Sequence, residues 1–172
     1  MAGDADFDKV SLLLHCDGAD GSTTFTDSSP GSKIVTAYGG ARISTAQSKF
    51  GGASAVFDGI NDYLSAPAHA DFDFGTGDFT LEAWVFPATI FGVAAIICRQ
   101  QDGGVEGLFQ LRLNSGKPEL VFCANSSSSV VTLAAAQSIA ANTWTHIAFA
   151  RQGGKVQCAS RYSRRCSAPQ KA

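Results

Sequence analysis

Methionine appears once, histidine three times and proline five times in 172 residues, and charged side chains make up only 16% of the chain. Globular chains ordinarily carry about 25% charge, and surface helices need Glu and Lys along their exposed face. The shortage therefore argues against a helical protein. No acidic residue follows Glu119. Residues 1–119 hold all 15 Asp and Glu with seven Lys and Arg, whereas residues 120–172 hold six basic residues and no acid. That basic end (Arg161, Arg164, Arg165, Lys171) has no aromatic platform beyond Tyr162, and so short a footprint predicts no nucleic-acid partner. No apolar stretch approaches the ~20 residues of a membrane helix, which predicts no membrane partner. Met1–Asp8 is acidic and lacks the basic start and apolar core of an export signal, so folding in a cytoplasm, or export without a cleaved signal, is expected.

Motifs of chemistry are missing too. The five cysteines (Cys16, Cys98, Cys123, Cys158, Cys166) form no CxxC or Cys/His cluster with zinc spacing. Cys16, Cys98 and Cys123 end or sit within apolar runs, which predicts buried free thiols and a reducing compartment. A Gly-x-Ser-x-Gly elbow, a P-loop and a dinucleotide fingerprint are all absent, removing the nucleophile and nucleotide enzymes those motifs mark.

What the chain does hold is glycine, 18 residues of it, placed between short apolar runs. Val10–Cys16 reads as a buried strand stopped by Asp17-Gly18 and Asp20-Gly21, and Ile34–Tyr38 as a second stopped by Gly39-Gly40. Ser54–Phe57 and Tyr63–Ala66 flank Asp58-Gly59-Ile60-Asn61-Asp62, which reads as a hairpin. In Asp78–Phe86 the alternation puts Phe79, Leu81, Ala83 and Val85 on one face and Thr80, Glu82, Trp84 and Phe86 on the other, the mark of a strand; Pro87 ends it. Val93–Arg99, Leu108–Leu113, Glu119–Cys123, Val130–Leu133 and Thr143–Arg151 follow as further strands. Leu133–Ala141 is the only helical contender. Short strands at regular intervals predict an all-β antiparallel sandwich or barrel.

Six stretches in order carry a family resemblance: VSLLLHCDG (10–18), FTDSS (25–29), SKFGGASAVFDG (48–59), DYLSAP (62–67), FDFGTGDFTLEAWVFP (72–87) and WTHIAFARQGGKV (144–156). Together they resemble laminin-G-like jelly rolls of the concanavalin A-like lectin/glucanase superfamily, as found in phage fibre and tail proteins and in bacterial surface proteins. The resemblance implies a two-sheet antiparallel jelly-roll β-sandwich over residues 7–157, with 1–6 as a lead. It also implies further strands after Gly153-Gly154. Residues 158–172 show neither alternation nor an apolar anchor, and read as a basic, disordered or frameshifted tail. The expected consequence is a sandwich lacking its last strands, either because the continuation is truncated or frameshifted or because the missing strands come from another chain.

A glycosidase on this fold needs two carboxyl groups held across the sugar. Glu82 stands alone before Ala83-Trp84-Val85-Phe86-Pro87, which predicts that the protein is not an enzyme. His146, two residues from Trp144, reads as part of the sheet. For sugar binding, Tyr63 and Asn61 beside the 58–62 turn, with Gln100, Asp102 and Asn125 as a polar rim, are the candidate residues. Asp17, Asp58 and Asp62 are loop oxygens that could hold Ca²⁺, although turn residues bonding their own backbone explain them equally; no other cofactor is expected. The leading expectation is a non-enzymatic phage virion module of a fibre, tail or head decoration. It would fold in the host cytoplasm, assemble with other virion proteins or as a homo-oligomer, and touch a host-surface glycan. The alternative is an extracellular, secreted bacterial lectin-like domain.

Overall fold

The alternation in Phe79–Val85 has a direct structural result: Phe79, Leu81 and Val85 all join the core. A computed structural model of the protein describes residues 5–99, 108–123 and 130–160. It is the expected all-β antiparallel arrangement, consistent with a concanavalin A-like β-sandwich. The chain divides into two compact units, Met1–Phe72 and Asp73–Ala172.

The first unit is built from β1 (Phe25–Thr26), β2 (Ile34–Tyr38), β3 (Arg42–Ser44), β4 (Ser54–Val56) and β5 (Tyr63–Ser65). One sheet runs β1-β2-β5 and a second pairs β3 with β4. Its core is small: Phe25, Ile43 and Ala53, with Cys16, Val35, Ala37, Ala55 and Leu64 packed against them. Two expectations fail here. Val10–Cys16 is no ladder strand; it makes a single bridge, Leu14 with Asp27. The Asp27 carboxylate does the work of a neighbouring strand, taking the N–H groups of Leu13 (2.9 Å), Ser29 (2.9 Å) and Lys33 (2.7 Å). The runs flanking 58–62 also do not pair with each other. β4 pairs β3 through Arg42↔Val56, and β5 pairs β2 through Tyr38↔Tyr63. Sequence proximity favoured a local hairpin, but the loop from 57 to 62 instead carries the chain from one sheet to the other.

The second unit is a sandwich. β6 (Phe79–Val85), β11 (Thr145–Gln152) and β12 (Lys155–Ser160) make a sheet of order β12-β11-β6. β7 (Val93–Arg99), β8 (Leu108–Asn114), β9 (Lys117–Cys123) and β10 (Val130–Ala134) make the other, of order β10-β9-β8-β7. Leu111, Leu113, Leu120 and Leu133 from the four-stranded sheet share one core with Phe79, Ile147, Phe149 and Cys158 from the three-stranded one. Each such side chain gains roughly 1.5–3 kcal/mol on full burial, and this layer holds the sheets face to face. Ser115 and Gly116 both take positive φ (49° and 76°) in the β8–β9 connection, the tight two-residue turn whose twist matches its strands. The run Leu133–Ala141 forms no helix; it continues β10 and then a turn. β12 reaches Ser160, three residues past the end of the jelly roll read from the sequence, because Cys158 alternates inward opposite Phe149. Residues 161–172 lie outside the described residues.

Candidate functional site

Two loops of the first unit, 39–41 and 57–62, meet at one carboxylate. Asp62 Oδ1 accepts the Gly40 N–H, and Asp62 Oδ2 accepts the Asp58 N–H at 2.8 Å. Asp58 Oδ1 in turn accepts the N–H groups of Ile60 (2.8 Å) and Asn61 (3.4 Å). The second loop therefore closes on itself before it is fastened to the first. The fit leaves no room at Gly39, whose φ is +67°. A Cβ there would stand 2.5 Å from Asp62 Oδ1 and 2.8 Å from the Asn61 carbonyl oxygen, so glycine is required both for conformation and for space.

On this frame sits an aromatic pair. The register Tyr38↔Tyr63 brings the two rings to 4.6 Å between centroids, at an interplanar angle of 9°. Tyr38 is 44% exposed, Tyr63 52%, and Ile60 on the adjoining turn 87%. β5 lies at the end of its sheet, and Asn61 is exposed on the same turn. The arrangement presents the outer face of a stacked aromatic pair at the ends of β2 and β5, with an exposed amide on the adjoining turn. That is a surface on which a pyranose ring can stack, with its hydroxyls reaching the amide and the phenol groups.

The expected site residues divide accordingly. Tyr63, Asn61, Asp58 and Asp62 come together, and Tyr38 is the partner that sequence reading left out of the site. Gln100, Asp102 and Asn125 lie outside the described residues. Asp17 sits elsewhere in the first unit, against Gly51, where an added Cβ would meet it at 3.2 Å. Among the described residues no three His, Cys, Asp or Glu side chains gather as a metal-ligand set, and both oxygens of Asp62 already accept backbone N–H groups.

A second group of chemically able side chains lies on the second unit, on the face of β6 and β11 opposite Phe79, Leu81 and Val85. Glu82 Oε2 and His146 Nε2 are 3.0 Å apart, and the Trp84 ring lies 5.2 Å from the imidazole. Trp84 thus stands beside the histidine across the strands rather than with the core residues of its own strand. The positions flanking Glu82 on this face are Thr80 and Trp84, and Ala148 is directly opposite. Among the described residues Glu82 is paired with His146 and no second carboxyl flanks it on this face, whereas glycoside hydrolysis uses two. Nothing in the sequence pattern joins Glu82 to His146, which are 64 positions apart; only the β6–β11 register does. Of the cysteines expected to be buried, Cys16 is half-buried and Cys98 is exposed on β7, while the side chain of Cys123 lies outside those described; Cys158, read from the sequence as the start of the tail, is buried.

The profile of a laminin-G family, described as the concanavalin A-like lectin/glucanases superfamily, matches residues 58–159. Among solved structures, that of an S-layer domain-containing protein (residues 221–444) from Clostridium thermocellum superposes with a TM-score of 0.58 at 23% identity. It covers 87% of this chain and 67% of that one. At that identity the likeness speaks for the fold alone. No curated protein matches the chain.

Proposed function

The chain belongs to the concanavalin A-like lectin/glucanase superfamily, and from that premise we propose that it is a non-catalytic module that captures a cell-surface glycan on its tyrosine platform. The observation that carries this reading is the stacked Tyr38–Tyr63 pair, half exposed at the ends of β2 and β5 beside loops braced by Asp62. Exposed apolar surface on an ordered loop has no folding benefit, and such surface marks a contact. A pyranose face covering Tyr63 would recover that area, and the loops would lose little freedom on binding because their hydrogen bonds are already made. The isolation of Glu82 supports binding without hydrolysis.

The resemblance of the six stretches to jelly rolls found in phage fibre and tail proteins supports a place on a virion, where the module would assemble with other virion proteins or with copies of itself and meet the host surface. Light scattering of the full chain tests that setting. A trimer or larger assembly supports it, and a monomer points to a secreted lectin-like domain instead.

The site itself is tested on a glycan array, with and without Ca²⁺. Binding should be unaffected by chelation, because the carboxylates of the turn are engaged by the backbone. Tyr63→Ala should weaken it by about tenfold or more, the order expected for losing an aromatic stacking contact. Retention of full affinity by Tyr63→Ala and Tyr38→Ala would remove the platform from the site, and dependence on Ca²⁺ would return Asp17, Asp58 and Asp62 to consideration as ligands.

A further inference from the structure

The outward face of the four-stranded sheet carries an array that neither the core nor the tyrosine platform uses. Leu111, Leu113, Leu120 and Phe122 point into the sandwich, so Gln110, Arg112 and Asn114 on β8 and Glu119 on β9 point away from it. Glu119 is only 8% exposed, and both of its oxygens are occupied. Oε1 accepts from Asn114 Nδ2 at 3.2 Å, and Oε2 accepts from Arg112 Nε at 2.9 Å, with Nη2 of the same guanidinium in ion-pair contact at 2.8 Å. Arg112 Nη1 also donates to Gln110 Oε1 at 3.3 Å. The guanidinium therefore spends its side-on edge on Glu119. N–H groups on Nη1 and Nη2 are left over from these bonds, on a side chain that is 24% exposed.

The surroundings leave this array approachable. Ala95 lies opposite Arg112 on β7 and Cys98 opposite Gln110; on β10, Ala134 lies opposite Glu119 and Thr132 opposite Val121. All four of these flanking residues are exposed and short. The result is a strip of three hydrogen-bonding side chains along β8, spaced about 7 Å apart by the two-residue repeat of a strand, between low walls. A buried ion pair is weak evidence for stability, since apolar replacements of similar volume often serve as well. What the pair does supply is a guanidinium fixed in one orientation, and a fixed guanidinium fork matches a carboxylate in two parallel hydrogen bonds.

We propose that this face is a second binding site, specific for the carboxylate of an acidic sugar. Arg112 takes the carboxylate end-on, and the Gln110 and Asn114 amides read hydroxyls on either side. A sugar fits better than a peptide because the strip offers hydroxyl-reading amides and no apolar pocket for a side chain. Glu119 is a positioning residue, acting through Arg112.

The experiment uses the full chain and two forms of one polymer, oligogalacturonate and its methyl ester, in titration calorimetry at low and high salt. The free acid should bind, weaken as salt rises, and exceed the ester by about tenfold or more, the scale of one hydrogen-bonded charge. Because Arg112→Gln alone would strand a buried Glu119, the deciding variant is Arg112→Met with Glu119→Leu, which removes both partners together. With its thermal melt checked against wild type, this double variant should lose the preference for the acid. Gln110→Ala should weaken binding severalfold, and Tyr63→Ala should leave the preference intact, separating this site from the tyrosine platform. Equal affinity for acid and ester, no binding of the acid, or an undiminished preference in the folded double variant would each overturn the proposal. Loss of the preference in Tyr63→Ala would also overturn it, by assigning the acid to the other site.

Discussion

Strands of two to five residues build the first unit, whereas strands of five to eight build the second. The cores differ in the same sense. Three buried residues anchor the first, and ten, including Phe79, Ile147 and Phe149, fill the second. Carboxylates make up the difference. In the first unit Asp27 collects the backbone of three segments and Asp62 that of two loops. Lys33 also reaches both the Ser11 carbonyl and Asp71, each at 2.8 Å. In the second unit the strands bond each other, and a side chain that bonds backbone does so at a rim. Arg151 donates to the carbonyls of Phe74, Gly75 and Gly77 while its guanidinium stands 4.9 Å from the Phe79 ring. Where a chain lacks apolar area to bury, charge-assisted bonds from side chain to backbone can hold it in place of a ladder.

The sharpest way to break the contrast is to empty the larger core. Phe149→Ala should cost about 3–5 kcal/mol, seen as a lower urea midpoint for the signal of the second unit. Next, Asp27→Asn should cost about 2–3 kcal/mol by replacing a charged acceptor with an amide that cannot accept from all its donors, and should act on the first unit. The two differ again in acid. Burial opposes ionisation of Asp27, but the N–H groups of Leu13, Ser29 and Lys33 and the Ser29 hydroxyl outweigh it and hold the pKa at about 2, against an ordinary 3.8. Since the folded value lies below the unfolded one, the stabilisation is complete above roughly pH 4 and is lost as pH falls through about 2. Asp27→Asn should therefore be less acid-sensitive than wild type over that window in a series of urea melts; an unchanged acid limb would assign the sensitivity to other groups. Gly39→Ala should cost about 1–2 kcal/mol through strain at positive φ and the clash with Asp62, and should weaken glycan binding more than it lowers stability. Smallest is Tyr63→Ala, under about 1 kcal/mol on stability because the ring is half exposed, with its effect falling on binding.

The same contrast governs how far the sequence could be read. β2 and β7 fall on the runs Ile34–Tyr38 and Val93–Arg99 because period-two apolar patterning and glycine stops act locally. The second unit, rich in such patterning, was legible almost strand for strand. The first was not, because its organisation depends on Asp27 and Asp62, whose partners lie up to 22 positions away. An aspartate in a turn looks the same whether it bonds its own backbone or another segment's. The candidate site was half visible for that reason: Asp58, Asn61, Asp62 and Tyr63 fall within six positions of the chain, but Tyr38 enters the site through register alone. The Glu82–His146 and Arg112–Glu119 pairs are likewise products of strand register.

The Asp62 brace separates the ends of the 57–62 loop from its middle. Its fastening points are Gly40, Asp58 and Asp62, whereas Ile60 and Asn61 offer only their backbone N–H groups to the loop and leave their side chains to solvent. The side chains at 60 and 61 can therefore be exchanged without unfastening the frame. The loop is built as a cassette, whose tip can vary while its frame is kept.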